Sequence, residues 1–104
     1  MRLVTFENPV RASRIGALVD NDRIVDLHSA CAVYLRDAER EAAPERLAAA
    51  LVPPDMRALF EGGDTSLDSA RRSLAFVQKH SGDLQGIHGE PIVFRRDEID
   101  PRRF

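Results

Sequence analysis

Arg14-Ile15-Gly16-Ala17-Leu18-Val19-Asp20-Asn21-Asp22-Arg23-Ile24-Val25-Asp26-Leu27 is the stretch whose reading decides the fold. Two short runs rich in Ile, Leu and Val flank the polar tripeptide Asp20-Asn21-Asp22. Asn tolerates the left-handed conformation that a tight hairpin requires, so the stretch reads as two strands and a turn. Upstream, residues 2–7 form a third apolar run. Asn8-Pro9-Val10-Arg11-Ala12-Ser13 separates it from residues 14–19 with a turn-forming Asn-Pro. Three strands and two turns make an antiparallel meander. Alternation along the first strand places Leu3 and Thr5 on one face and Val4 and Phe6 on the other. Gly16, in mid-strand, marks a bulge or a close approach.

From residue 28 the period changes. Leu27, Ala30, Cys31, Tyr34, Leu35 and Ala38 recur at helical spacing, with Arg36, Asp37, Glu39 and Arg40 mostly on the other side. Pro44 is placed as the first residue of a second helix carrying Leu47, Ala50 and Leu51. Pro53-Pro54 interrupts it, because proline removes a donor and restricts its predecessor. A third short helix with Met56, Leu59 and Phe60 stops at Gly62-Gly63. Asp64 or Thr65 can cap a fourth, whose stripe is Leu67, Ala70, Leu74 and Val77, and Ser81-Gly82 closes it. After the loop from Asp83 to Glu90, Pro91-Ile92-Val93-Phe94 reads as a last strand that returns to the sheet. The predicted class is α+β: a small antiparallel sheet, a meander plus a C-terminal strand, with three to four helices packed against it. Residues 1–95 form the domain, and 96–104 read as a charged tail or connector.

Composition narrows the function classes. At 104 residues the chain holds one domain, with 43% apolar and 31% charged residues. A net charge of -2 and a pI near 5.9 argue against a nucleic-acid binder, which needs clustered Lys and Arg to neutralise phosphates. No apolar run approaches the roughly 20 residues that span a bilayer. Glu7 falls where a signal peptide needs its apolar stretch to continue, so the expected location is the cytoplasm. A single cysteine, Cys31, leaves no internal disulfide.

Candidate chemistry is sparse. His28 and Cys31, three apart on one helix, have the spacing of a thiolate–imidazole pair. Cys31 also lies in the apolar stripe, where a free cysteine serves as a small buried hydrophobe, and no third group orients the histidine. His28, His80 and His88 with Cys31 match no compact zinc spacing. His80 has a sufficient reason in the dipole of a helix C-terminus. Gly82, Gly86 and Gly89 form no phosphate cradle. Asp97, Glu98 and Asp100 alternate with Arg95, Arg96, Arg102 and Arg103, which reads as a self-neutralised, solvated segment. No catalytic, cofactor-binding or metal-ligating residue is assigned.

The order of features carries more information than any one site. Met1-Arg2-Leu3-Val4-Thr5-Phe6-Glu7, Arg14 to Asp20 and Ile24-Val25-Asp26-Leu27 resemble the opening of bacterial fumarylacetoacetate hydrolase superfamily enzymes. Leu51-Val52-Pro53-Pro54-Asp55-Met56, Leu59-Phe60-Glu61-Gly62-Gly63 and Ser69-Ala70-Arg71-Arg72-Ser73-Leu74-Ala75-Phe76 continue the series, so the resemblance runs from residue 1 to about 95. It implies a non-catalytic amino-terminal domain that precedes a larger catalytic one. In that family the catalytic domain holds magnesium, manganese or calcium through a carboxylate cluster that includes a Glu-x-Glu pair. The ion chelates keto and carboxylate oxygens of oxo or β-diketo acids and stabilises an enolate. The one Glu-x-Glu of this sequence, Glu39-Arg40-Glu41, lies in the polar segment before Pro44 and outside the stretches that carry the resemblance, so none of the family's catalytic residues is carried over and the chain alone is not expected to be active. The expected partner is a catalytic domain or subunit, or a second copy in a homo-oligomer. The alternative is a free-standing interaction module that self-associates through the edge of its sheet.

Overall fold

The computed structural model describes residues 1–7, 13–80 and 84–99. The elements run β1 (Arg2–Glu7), β2 (Ser13–Val19), β3 (Arg23–Asp26), α1 (Leu27–Asp37), α2 (Pro44–Leu51), α3 (Met56–Glu61), α4 (Gly63–Lys79) and β4 (Val93–Arg95). A 3-10 turn at Arg96–Glu98 follows. The sheet is antiparallel throughout, in the order β1-β2-β3-β4, so the fold is the α+β meander with a returning strand. At the β2–β3 turn Asp20 and Asn21 both adopt positive φ, 56° and 64°, which sets the twist a short hairpin needs.

Register is one-for-one along β1–β2, from Arg2↔Leu18 to Glu7↔Ser13, and along β2–β3, from Gly16↔Asp26 to Val19↔Arg23. Gly16 is therefore no bulge. It marks a close approach instead: a Cβ there would lie 2.6 Å from Ile24 Cγ2 and 2.9 Å from Phe6 Cε1.

Both faces of the sheet are apolar. On one, Leu3, Ile15 and Ala17 pack against Leu27, Cys31 and Leu35 of α1, Ala48 of α2, Leu59 of α3 and Ala70 of α4. Val25 continues that face against Ala30, Val33, Val77 and Ile92. On the other, Phe6, Ile24, Phe94 and Ile99 form a second layer edged by Val4 and Leu18. The Phe6 and Phe94 rings stand 5.9 Å apart, tilted at 56°. Ile99 is buried, so the packed body continues past residue 95 to that side chain.

Helix termini follow local chemistry. Asp26 caps α1, its carboxylate accepting from the His28 and Ser29 amides. Pro44 opens α2, and Asp55 caps α3 by accepting from the Arg57 amide. The expected cap at Asp64 or Thr65 is not used: α4 starts at Gly63 with no side-chain cap. Gly62 ends α3 and opens α4 at once, and Gly63 at φ +62° makes the bend that a capping loop would otherwise supply. On α4 Ala70 and Val77 are buried, with Leu67 and Leu74 half-buried, as the stripe requires; Ser66 and Ser73 are buried beside them. The expected closure at Ser81-Gly82 lies outside the described residues. Among those residues no helix is long and apolar enough to cross a membrane.

Candidate functional site

The densest polar arrangement lies where β2, β3, the start of α1 and the loop before β4 converge. Hairpin register brings Arg14 beside Asp26, and Arg14 Nε donates to Asp26 Oδ2 at 3.1 Å. The other Asp26 oxygen accepts the His28 and Ser29 amides at 3.1 and 3.3 Å. Arg14 Nη2 also donates to Ser29 Oγ at 3.4 Å, and Ser29 Oγ donates to Glu90 Oε1 at 3.4 Å. Glu90 Oε2 accepts the His88 amide at 2.9 Å, and His88 Nε2 meets Glu45 of α2 at 3.0 Å. Asp26 and Ser29, at 2% and 1% exposed, are the buried centre of this network and must be satisfied within it, whereas the His88–Glu45 end lies at the surface.

The loop from Leu84 to Ile92 is shaped by the same contacts. The Gly86 amide donates to the Glu90 carbonyl, the Gly89 amide to the Gly86 carbonyl, and the Asp26 amide to the Ile92 carbonyl. The Glu90 carboxylate lies so close over Gly86 that an added Cβ would overlap it. A side chain at that position would require the Glu90 carboxylate to swing aside.

His28 stands at the edge of this network on the first turn of α1. Its Nδ1 is buried without a hydrogen-bond partner. Burial pushes its pKa down and the Arg14 guanidinium adds to this, against the opposing pull of Asp26, the Val52 backbone and Glu45. A neutral imidazole is thus favoured. Cys31, one turn on, is fully buried, and burial pushes its thiol pKa up, partly offset by a hydrogen bond with Ser73. A thiol held protonated and away from solvent is the reverse of an activated nucleophile. The side chain packs in the core cluster with Ile15, Leu27 and Leu35.

The three histidines are not brought together around Cys31. His80 caps α4, its Nδ1 2.8 Å from the Phe76 carbonyl and its ring 4.3 Å from that of Phe76. His88 pairs with Glu45 in the loop. Among the described residues no group of three or more His, Cys, Asp or Glu is placed to hold a metal ion. Asp97 pairs with Arg95 at 3.2 Å, and Asp100, Arg102 and Arg103 lie outside the described residues.

A half-open groove of about 390 Å³ runs between the β2–β3 turn and the last turns of α4. Val19, Val25, Val77 and Val93 line its floor, with Asp20 and Arg23 on the rim, which pair with each other at 2.8 Å. Gln78 completes the lining, so four valines share the crease with three polar side chains, of which Asp20 and Arg23 are committed to each other.

Sequence reading missed the Arg14–Asp26–Ser29–Glu90 network. Asp26 before an apolar helical run is an N-cap signal, and the hairpin places Arg14 next to it; both were visible. Glu90 was not, because 61 residues separate it from Ser29. Compared with family models, curated proteins and solved structures, the chain gives no match.

Proposed function

We propose that this chain is a non-catalytic accessory domain of a fumarylacetoacetate hydrolase-like, divalent-metal-dependent enzyme acting on oxo or β-diketo acids. The observation that carries the reading is the ordered sequence series from Arg2 to Phe76, each piece of which falls on a distinct element: the meander, the turn from α2 into α3, and α4. The buried polar junction fits a scaffold role, since its charges are committed to one another and to helix and loop backbone. Magnesium, manganese or calcium would be held by carboxylates of the catalytic partner, whose oxygen donors suit a hard cation. The domain would pack beside that partner or help form its oligomer contact.

Calorimetric titration with Mn²⁺ tests the division of labour. The isolated chain is expected to give no saturable heat at millimolar metal and no turnover of an acylpyruvate. Stoichiometric Mn²⁺ binding with metal-dependent hydrolysis by these 104 residues would overturn the reading.

A further inference from the structure

We infer that β1 is a self-association edge, pairing antiparallel with β1 of a second copy about a two-fold axis through Thr5. The strand order leaves β1 and β4 at the edges of the sheet. β4 has three residues, carries the Arg95–Asp97 pair at its end and runs at once into the 3-10 turn. That edge is blunted in the usual way, by shortness and charge. β1 differs. It has six residues paired one-for-one with β2, with no proline and no bulge, and among the described residues no strand lies on its outer side. A straight row of outward N–H and C=O groups is a template for another strand.

The register follows from parity. A two-fold axis perpendicular to the sheet keeps each face on its own side, so only residues of like parity can stand opposite each other. Centring on Thr5 sets Thr5 against the partner's Thr5 and Val4 against the partner's Phe6. Thr–Thr and aromatic–β-branched pairs are both stabilising cross-strand pairs. Val4 and Phe6 belong to the layer shared with Ile24, Phe94 and Ile99, where Val4 is only half-buried, and the pairing would cover it. Centring on Val4 would instead set Arg2 against the partner's Phe6 and Leu3 against the partner's Thr5. Thr5 is exposed, so the axis position is accessible in the monomer.

A pairing of about five residues buries less than the roughly 1,000 Å² of a durable interface, so the dimer should be weak and concentration-dependent. This inference is independent of the accessory-domain reading, and its failure would leave that reading standing. Sedimentation velocity from about 10 µM to 1 mM is expected to show a monomer–dimer equilibrium in the native chain. Thr5→Lys and Thr5→Asp, which place like charges opposite each other, should each weaken dimerisation at least about tenfold, and their equimolar mixture should restore it. Opposed residues in an antiparallel pair lie about 4.5–5.5 Å apart at Cα, within disulfide reach, so Thr5→Cys should yield a covalent dimer on mild oxidation. Arg57→Cys, on exposed α3, should not. A native chain that stays monomeric at 1 mM would overturn the proposal. So would a dimer that neither charge variant weakens, or Thr5→Cys crosslinking no faster than Arg57→Cys.

Discussion

His28 couples stability to pH in a direction that its surroundings fix. Its folded pKa lies below the reference value of 6.5, chiefly because burial disfavours the imidazolium. The unfolded chain therefore takes up a proton before the folded one does. Above the unfolded value the group costs nothing. As pH falls through 6.5 toward the lower folded value, stability is lost, and the loss is complete below that value. Replacing His28 with Gln removes that dependence. Urea midpoints measured between pH 7.5 and 5 should fall more steeply for the native chain than for His28→Gln, and equal slopes would refute this account. Cys31 makes a second test at this scale. Buried and held as the thiol, it should react with an aromatic disulfide reagent at least about a hundred-fold more slowly in the folded than in the urea-unfolded chain. Native-state labelling at the unfolded rate would restore it as a candidate nucleophile.

Between elements, the junction of β2, β3, α1 and the 84–92 loop should behave as one unit. Removing Arg14 strands a buried carboxylate that keeps its two backbone donors but loses its cationic partner. Arg14→Met should cost about 2–3 kcal/mol, toward the lower end for a broken buried pair because Arg14 keeps some solvent contact. A denaturation shift below about 0.5 kcal/mol would show the pair to be dispensable. Gly86→Ala pushes the Glu90 carboxylate off its seat, and Glu90→Ala removes it; both should speed hydrogen exchange at the Gly86 and Asp26 amides, which bond within this loop and to it. Because they act on one contact, the double variant should add little to either single one. Additive effects would mean that the loop is held elsewhere. The elements themselves were legible, since their signals are local: Pro44 at the start of α2, the Pro53-Pro54 break, and the change of period after Asp26. The α3–α4 junction differs from the stop that Gly62-Gly63 signals, because Gly63 turns the chain directly into the next helix.

At the scale of the molecule, the sheet separates two apolar layers, and the burial of Ile99 shows that the second layer draws on residues beyond the last strand. Alternation along β1 separates Leu3 from Val4 and Phe6, as the two layers do, but does not say what covers them, because period 2 reports the face and not the partner. The site was less legible than the fold for the same reason: Arg14 and Asp26 meet through a short hairpin, while Ser29 and Glu90 meet through the whole tertiary structure. Large apolar side chains left more than half exposed among the described residues are Met1 and Phe60, while Leu3, Leu47, Leu51, Met56 and Ile87 are half-buried against the core. The most direct test of the accessory-domain account is light scattering coupled to size exclusion. This chain would be mixed with the polypeptide encoded immediately downstream of Phe104. The account predicts a downstream product with a Glu-x-Glu carboxylate cluster, a stoichiometric complex with this chain, and Mn²⁺ bound by the partner. A downstream product without that cluster, or two species that elute independently at high micromolar concentration, would contradict it.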